Sequence, residues 1–234
     1  MRQQFLPGPL GIFVNPGYIS RRGLQLAIAK YAPQFKGRLL DLGCGRKPYR
    51  PLFANVSEYV GVDVEVSGHE TKRMEVDVYY DGKTLPFPDD HFDGIFSSEV
   101  FEHVFNLPAI LNELHRVLRP GGIMLITVPF AVEEHEVPYD FGRYSSFGLK
   151  HILETAGFEI RIQEKRGTFI AALTQYVVSY LARRWPLSKS TAVRLIVTPI
   201  LFAPINAIGM LFAAILPKDQ SLFISNVVVA SKPG

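Results

Sequence analysis

Residues 133–144 hold side chains that could perform acid–base chemistry. His135 is the candidate general base, because an imidazole changes charge near neutral pH and can take a proton from a hydroxyl group. Asp140 or a neighbouring glutamate would orient its ring. Arg143 and Tyr144 are candidate substrate-binding residues, and Arg143 could hold an anionic or sugar group. The alternative interpretation is a polar network that shapes a lid without touching substrate.

A second candidate site is the stretch GRLLDLGCGRKPYRP, residues 37–51. It predicts a short strand ending at Asp41, a tight turn at Gly43 and Gly45, and a helix entered near Pro48. Glycine has no Cβ, so its backbone can adopt positive φ and come close to a ligand. A strand, a glycine turn and a helix build a ligand-binding crevice at the carboxyl end of the strand. Cys44 is interpreted as a small side chain beside the ligand rather than as a nucleophile.

An acidic residue in the next predicted strand fits a nucleotide-type site. Asp63 follows Asp41 by about 20 residues, the spacing at which such sites place a ribose-binding carboxylate. Two carboxylate oxygens can accept hydrogen bonds from both ribose hydroxyls. A nicotinamide dinucleotide is disfavoured, because Pro48 stands where the third glycine of G-x-G-x-x-G is expected.

The elements that must position these residues alternate between strand and helix from Arg38 to Phe130. The predicted strands are 38–41, 58–64, 73–78, 94–98 and 123–130, and the predicted helices are 24–31 and 107–119. Such alternation implies right-handed crossovers and a parallel, doubly wound α/β sheet. A helix at 145–158, a strand at 159–165 and a last strand at 223–230 complete the predicted core.

The string LLDLGCG resembles the first motif of class I S-adenosylmethionine (SAM)-dependent methyltransferases of the type 11 kind. The order and spacing of Asp63 and of the segment around Asp81 agree with it. The resemblance implies a seven-stranded, mostly parallel, Rossmann-like sheet and SAM as the cofactor. It implies cofactor contacts from Asp41, Gly43, Cys44, Gly45, Asp63, Asp81 and Ser98. Asp81 would meet the adenine amino group, with Asp77 as the fallback, although Asp81-Gly82 could also be a simple turn pair.

Two further strings bear on the acceptor. Glu102-His103 could bind a metal or act as a base, but the resembling family commonly has this pair without a metal, so we expect an orienting role and no metal. The pattern His135-x-x-Pro-x-Asp-x-x-Arg-Tyr resembles methyltransferases of bacterial surface-polysaccharide gene clusters. That resemblance implies a small-molecule, glycan or lipid-linked acceptor, and O-methylation is the favoured reaction.

Residues 169–216 are strongly apolar and stand between two predicted strands of the sheet. Arg183-Arg184-Trp185, Arg194 and Lys218 flank the apolar segments, as a membrane interface favours. The first segment, 169–182, is about 21 Å long as a helix, shorter than an apolar bilayer core of about 30 Å. A shallow hairpin that docks on the membrane is therefore favoured over a spanning pair. The alternative is a lid or a homodimer interface.

Composition bounds the remaining possibilities. The 234 residues are 47% hydrophobic and 20% charged, enough apolar material for a sizeable core, and the net charge of +3 gives no argument for nucleic acid. The N-terminus has no secretory pattern, so a cytoplasmic protein is expected, peripheral on the inner face of the cell membrane if the apolar insertion docks there. We divide the chain into an N-terminal segment (1–36), a cofactor-binding core (37–168), the apolar insertion (169–216) and a final strand (217–234). A catalytically inactive scaffold is the alternative to an enzyme.

Overall fold

A seven-stranded sheet organises the computed structural model, which describes residues 2–65, 74–184, 193 and 196–234. The strand order is β3-β2-β1-β4-β5-β7-β6. Among the described pairings, β1–β2, β1–β4, β2–β3 and β4–β5 are parallel, and β5–β7 is antiparallel. The strands are β1 (Gly37–Leu42), β2 (Val56–Val64), β3 (Val78–Tyr80), β4 (Phe92–Ser98), β5 (Leu118–Pro129), β6 (Glu159–Arg166) and β7 (Ser225–Ser231). The predicted mostly parallel, doubly wound sheet is confirmed.

Six α-helices accompany the sheet in the described part of the chain. They are α1 (Arg2–Phe5), α2 (Tyr18–Tyr31), α3 (Leu107–Val117), α4 (Ser146–Thr155), α5 (Phe169–Arg184) and α6 (Ala203–Ile215). A π-helical turn, Thr198–Phe202, leads directly into α6. The predicted hydrophobic helical segment before the last strand is therefore present.

Helix α3 shows how the sequence pattern forms the core. Its apolar residues recur at helical spacing and all face inward, where they are buried against the sheet: Leu107, Ile110, Leu111, Leu114 and Val117. The helix begins with proline in its first turn, a position where the missing N–H has no intrahelical partner anyway. It ends at Val117, because Leu118 already has extended backbone angles. Pro120-Gly121-Gly122 thus lies inside β5 rather than closing the helix.

Two local predictions need correction. No α-helix follows the glycine turn; the structure has a single 3-10 turn, Arg50–Leu52, between β1 and β2. The reason is that Lys47 has a left-handed φ of 47° and two prolines follow, each without an N–H to donate. The third strand begins at Val78 rather than ending there, and Arg73, its predicted start, lies outside the described residues.

The chain divides into two compact units. The first contains the described residues of 1–27, 131–133 and 165–224, and thus the whole predicted insertion. Within it, α5 and α6 pack closely, since a Cβ added at Gly209 would clash with the side chain of Thr174. Buried Asn206 donates its side-chain N–H to the carbonyl of Pro16 at 3.0 Å, which ties α6 to the N-terminal residues. Trp185 and Arg194, named above as flanks, lie outside the described residues.

The second unit contains the described residues of 28–130, 134–164 and 225–234. It holds the main hydrophobic core, formed by the apolar side chains of β1, β4, β5 and β7 together with α3 and α4. The carboxyl ends of the parallel strands β1, β2, β4 and β5 meet at one edge of the sheet. Every predicted site residue belongs to this unit.

Candidate active site

The turn after β1 is shaped by two glycines. Gly43 has φ +69°, and a Cβ there would clash with the side chain of Val100. The N–H groups of Gly43 and Cys44 donate to the carbonyl of Val62 at 2.8 and 3.2 Å, which locks the turn against β2. Gly45 has φ +49°, and a Cβ added to it would meet no atom within 4 Å. The turn is therefore packed at Gly43 and open to a ligand at Gly45.

Asp63 lies at the end of β2 beside this turn. Its Oδ2 accepts the N–H of Gly45 at 2.9 Å, and its Oδ1 accepts the N–H of Val64 at 2.8 Å. Both carboxylate oxygens are thus held in place by backbone donors, and a carboxylate oxygen can accept more than one hydrogen bond. The sequence pattern predicted that Asp63 and Gly45 lie at the same edge of the sheet, and in the structure they are hydrogen-bonded to each other.

Asp41 is buried at the end of β1, where its Oδ2 accepts a hydrogen bond from the Tyr59 hydroxyl at 2.6 Å. Burial raises the pKa of Asp41 to about 7, because an apolar environment disfavours the charged carboxylate; the Tyr59 hydrogen bond opposes this rise. Asp41 therefore supports the turn from beneath and has its own partner within the protein.

Sequence reasoning missed Lys47, whose side chain is almost fully buried. Its ammonium group contacts Asp77 Oδ2 at 2.5 Å, and the same oxygen accepts the N–H of Gly61 at 2.7 Å. These hydrogen bonds outweigh partial burial and lower the pKa of Asp77. The position of this lysine beside the glycine turn could have marked it as a site residue. Its pairing with Asp77 is seen only in the folded structure. Asp77 was the second candidate for contact with the adenine amino group, and one of its carboxylate oxygens is occupied by Lys47 and Gly61.

The remaining predicted cofactor residues take up varied positions. Asp81 is exposed, and its Oδ1 accepts the N–H groups of Lys83 and Thr84 at 2.8 Å each, as a turn-forming aspartate does. Ser98, at the end of β4, shares a hydrogen bond of 2.9 Å with Thr127. Burial raises the pKa of the Cys44 thiol, with nearby carboxylates adding to the rise, so Cys44 is a poor nucleophile. We call Asp41, Gly43, Gly45 and Asp63 the cofactor side.

Residues from the loop after β5 assemble around His135. The main-chain N–H of His135 donates to Asp140 Oδ2 at 2.9 Å, and its Nδ1 lies 3.4 Å from the same oxygen. Arg143 binds both oxygens of Asp140, at 2.5 and 2.6 Å, in a bidentate pair. Hydrogen bonds from Arg143 hold the pKa of Asp140 at about 2. Asp140 is therefore a charged group held firmly beside the imidazole of His135.

Glu102 and His103 lie near His135 as well, and Glu102 faces its Nε2, the ring nitrogen opposite the one beside Asp140. Glu102 Oε1 lies 3.8 Å from His135 Nε2 and 3.7 Å from His103 Nε2, and the two imidazole rings meet edge to face at 4.8 Å. Burial raises the pKa of the Glu102 carboxyl well above its usual range, and the neighbouring Glu99 carboxylate adds to the rise. The main-chain carbonyl of Glu102 accepts the N–H groups of Phe141 and Gly142 at 2.8 and 3.1 Å, which joins this segment to the 134–144 loop.

Tyr144 is half-buried and packs against the main core. Its carbonyl accepts the side-chain N–H of Asn226 at 2.9 Å, and burial, with a further effect from Glu102, raises the pKa of its hydroxyl. The structure thus brings His135, Asp140 and Arg143 into one cluster and sets Tyr144 at its border. We call Glu102, His103, His135, Asp140 and Arg143 the acceptor side.

Comparison with known proteins agrees with this geometry. The profile of the methyltransferase domain family matches residues 40–126, which contain the cofactor side and part of the acceptor side. A probable S-adenosylmethionine-dependent methyltransferase of Mycolicibacterium smegmatis is 29% identical over 160 residues, 63% of this chain and 62% of the relative. A fatty-acid O-methyltransferase of the same organism is 28% identical over 197 residues, 76% of this chain and 69% of the relative. The chain thus spans less than two thirds of the first of these relatives.

Solved structures show the same fold. A phosphoethanolamine N-methyltransferase of Haemonchus contortus, in complex with S-adenosyl-L-methionine, superposes with a TM-score of 0.57 at 18% identity over 97% of this chain and 58% of its own. A SAM-dependent methyltransferase of Mesorhizobium loti gives 0.54 at 14% identity over 89% of this chain and 98% of its own. At these identities the likeness concerns the architecture alone.

Proposed function

Because this chain carries a domain of the class I SAM-dependent methyltransferase family, we propose that it transfers a methyl group from SAM to a hydroxyl of a small or lipid-linked acceptor. SAM supplies a methyl group bound to a positively charged sulfur. Such a transfer is an in-line displacement, so the protein mainly has to align the reactants and take up the acceptor's proton.

The cofactor side fits SAM. The open space at Gly45 admits a ligand against the backbone, and Asp63 offers fixed carboxylate oxygens beside it for the ribose hydroxyls. No pyrophosphate has to be bound, which agrees with the missing helix after the turn, because a helix N-terminus is the usual pyrophosphate partner. The same absence argues against a nicotinamide dinucleotide. Asp81 and Ser98 remain proposed contacts for the adenine and the outer part of the cofactor.

One observation carries the catalytic proposal: His135 stands between the charged Asp140 carboxylate at 3.4 Å and the buried Glu102 at 3.8 Å. Asp140 accepts the main-chain N–H of His135 and lies beside its Nδ1, which positions the ring for proton transfer. As the acceptor oxygen bonds to the methyl carbon and the carbon–sulfur bond breaks, the hydroxyl proton passes to His135. An inactive scaffold would have no need of a half-buried histidine held in this way.

Arg143 and Tyr144 complete the proposed acceptor site. Arg143 holds Asp140 through two nitrogens, and its side chain is 25% exposed, so its outer face can still meet an anionic or sugar group. Arg143 thus both fixes the partner of the base and contacts the acceptor. Tyr144 borders the same cluster and offers its hydroxyl.

The first unit supports a lipid-linked acceptor and docking on the cytoplasmic face of a membrane. Helix α6 with its π-turn, Thr198–Ile215, is long and apolar enough to cross a membrane, and only 28% of it is buried. β6 and β7 are neighbours in one sheet, so the chain between them has to return to the side it left, which favours docking over a single crossing. The relative named as a fatty-acid O-methyltransferase points to an apolar acceptor as well.

Methyl transfer can be tested on purified protein with SAM and extracts of bacterial lipids and glycans, followed by mass spectrometry for a product heavier by one CH₂ group. We expect such a product with wild-type protein and far less of it, in the same reaction time, with His135→Ala. Titration calorimetry with SAM and with NAD separates the alternatives: a scaffold binds SAM without forming product, and an oxidoreductase binds NAD. Lack of SAM binding would refute the proposal.

Docking can be tested by sedimentation with anionic liposomes. Exposed apolar side chains on α6 are changed to serine together: Ile208, Leu211, Phe212 and Ile215. We expect wild-type protein to pellet even in high salt, because apolar insertion is not screened, and the variant to stay in solution. Phe105→Ser with Phe147→Ser changes two apolar residues of the second unit that are even more exposed; this variant is the control and should still pellet. A wild-type dimer that the α6 changes dissociate would instead make this helix a subunit interface.

A further inference from the structure

Glu102, His103 and His135 form a cluster that hydroxyl methylation by a histidine base does not require. One carboxylate oxygen and two imidazole nitrogens lie within 4.8 Å of one another. We propose that these three side chains bind a divalent first-row metal ion such as Zn²⁺ or Mn²⁺. The sequence had favoured an orienting role for the Glu102-His103 pair, and three features of the structure favour a metal instead.

The first feature is the tautomer of His103. Its Nδ1 lies 2.7 Å from the carbonyl oxygen of Tyr139, which can only accept, so Nδ1 carries the proton. In the neutral ring Nε2 then has a free lone pair. Metal-binding histidines characteristically donate their other N–H to a carbonyl or carboxylate in this way, which fixes the ring and raises its basicity.

The second feature is what this nitrogen faces. His103 Nε2 is buried without a hydrogen-bond partner and lies 3.7 Å from Glu102 Oε1 and 3.6 Å from Glu136 Oε1. A lone pair directed at carboxylate oxygens is unfavourable, and a metal cation bound between them would replace this repulsion with attraction.

The third feature is the Glu102 carboxylate. The side chain is fully buried, and neither oxygen has a hydrogen-bond partner within the described structure. A buried carboxyl group without partners is disfavoured in its charged form, so it either keeps its proton or meets a cation, as carboxylates that coordinate metals do. Glu102 is buried and directed towards two imidazole nitrogens, which is the arrangement of a metal ligand.

The spacing and the ligand types suit the proposed ions. Two ligand atoms each about 2.1 Å from a metal lie about 3–4 Å apart, and Glu102 Oε1 lies 3.7 and 3.8 Å from the two imidazole nitrogens. Imidazole ligands favour transition metals over Mg²⁺ and Ca²⁺. Two histidines and one glutamate also leave coordination positions open, as in catalytic zinc sites.

The consequence for catalysis rests on the proposed function. An acceptor oxygen could occupy an open position, where the metal would hold it and favour loss of its proton. His135 would then act as a ligand instead of a free base. Metal binding itself is independent of that assignment and can be measured without any acceptor.

The test uses full-length protein stripped with a chelator and titrated with Zn²⁺ and with Mn²⁺ by calorimetry. We expect one saturable site, with affinity lower by at least about 100-fold in His103→Ala, since a ligand contributes more than the 10- to 100-fold of an outer-shell partner. His151→Ala, an exposed histidine on α4, is the matched control and should bind as the wild type does.

Two further measurements keep the outcome decisive. SAM titration of each variant verifies that the cofactor side is intact, and Co²⁺ substitution reports ligand geometry through its visible absorption. We expect intense Co²⁺ bands in wild type that are lost in His103→Ala and in Glu102→Gln. Absence of saturable binding in protein that still binds SAM, or equal affinity in His103→Ala, would refute the metal site while leaving methyl transfer open.

Discussion

The cofactor side and the acceptor side lie at the same edge of the sheet but differ in how their polar groups are partnered. On the cofactor side, Asp63 receives two backbone N–H groups and Asp41 receives the Tyr59 hydroxyl. On the acceptor side, the carboxyl oxygens of Glu102 and the Nε2 of His103 are buried without hydrogen bonds within the described residues.

If the proposed function is correct, this difference distinguishes a preformed cofactor site from an acceptor site that its ligands complete. Backbone donors fix the cofactor side before anything binds, so its groups lose little freedom on binding. Unpartnered groups on the acceptor side cost stability, and such a cost is typical of positions retained for function. Substitutions on the cofactor side should therefore change cofactor affinity and stability. Substitutions on the acceptor side should change turnover.

The largest expected effect is on turnover. His135→Ala should lower kcat by about 10²–10⁴, the usual contribution of a positioned base, and leave SAM affinity nearly unchanged. Single-turnover rates and SAM titrations measure the two quantities. His151→Ala is the control and should retain full activity. A parallel loss of SAM affinity would show that the two sides are not separable.

The next effect concerns the pH dependence of stability. Asp41 has an ordinary pKa of 3.8 and a folded-state pKa of about 7, so between these values the folded state binds the extra proton. The stabilisation that comes from the raised pKa of Asp41 is therefore complete below about pH 4 and is lost as the pH rises through 7. The free energy of unfolding falls by at most about 1.4 kcal/mol per pH unit in this range. Asp41→Asn should remove this slope, because the amide oxygen can still accept from Tyr59.

Urea unfolding of both proteins at several pH values from 5 to 8 measures the difference in slope. Asp89→Asn changes an exposed carboxylate and should leave the wild-type slope intact. Parallel curves for wild type and Asp41→Asn would show that Asp41 titrates at its ordinary value, and that the cofactor side contains no buried proton.

A smaller effect is expected on cofactor affinity. Asp63→Ala removes the acceptor for the N–H of Gly45 and for the ribose hydroxyls, so SAM binding should weaken by about 1–3 kcal/mol. Calorimetry measures this change, and Asp89→Ala is the surface control. Unchanged affinity in folded Asp63→Ala protein would remove Asp63 from the site.

The smallest effect tests the open space at Gly45. Gly45→Ala meets no atom of the protein but must adopt φ +49°, which costs an L-residue about 1–2 kcal/mol. We expect a loss of stability of that size together with weaker SAM binding, because the new methyl group would occupy space used by the ligand. Thermal unfolding without SAM measures the loss of stability, and the additional stabilisation on adding SAM measures cofactor binding. Equal ligand stabilisation in both proteins would place the cofactor elsewhere.

The sequence by itself determined the sheet and the cofactor side. Alternating strands and helices specify a doubly wound topology, and residues at the ends of parallel strands must meet at one edge, so Gly45 and Asp63 could be brought together without coordinates. The apolar insertion was equally visible, because hydrophobicity is a local property of the chain.

Other features depended on contacts between residues far apart in sequence. The pairing of Lys47 with Asp77, and the clustering of Glu102 and His103 with His135, join segments that only the fold brings together. The absence of a helix after the turn follows from the left-handed conformation of Lys47. Burial decided the chemistry of these groups: a carboxylate is ordinary in water, but without partners inside a protein it requires a proton or a cation.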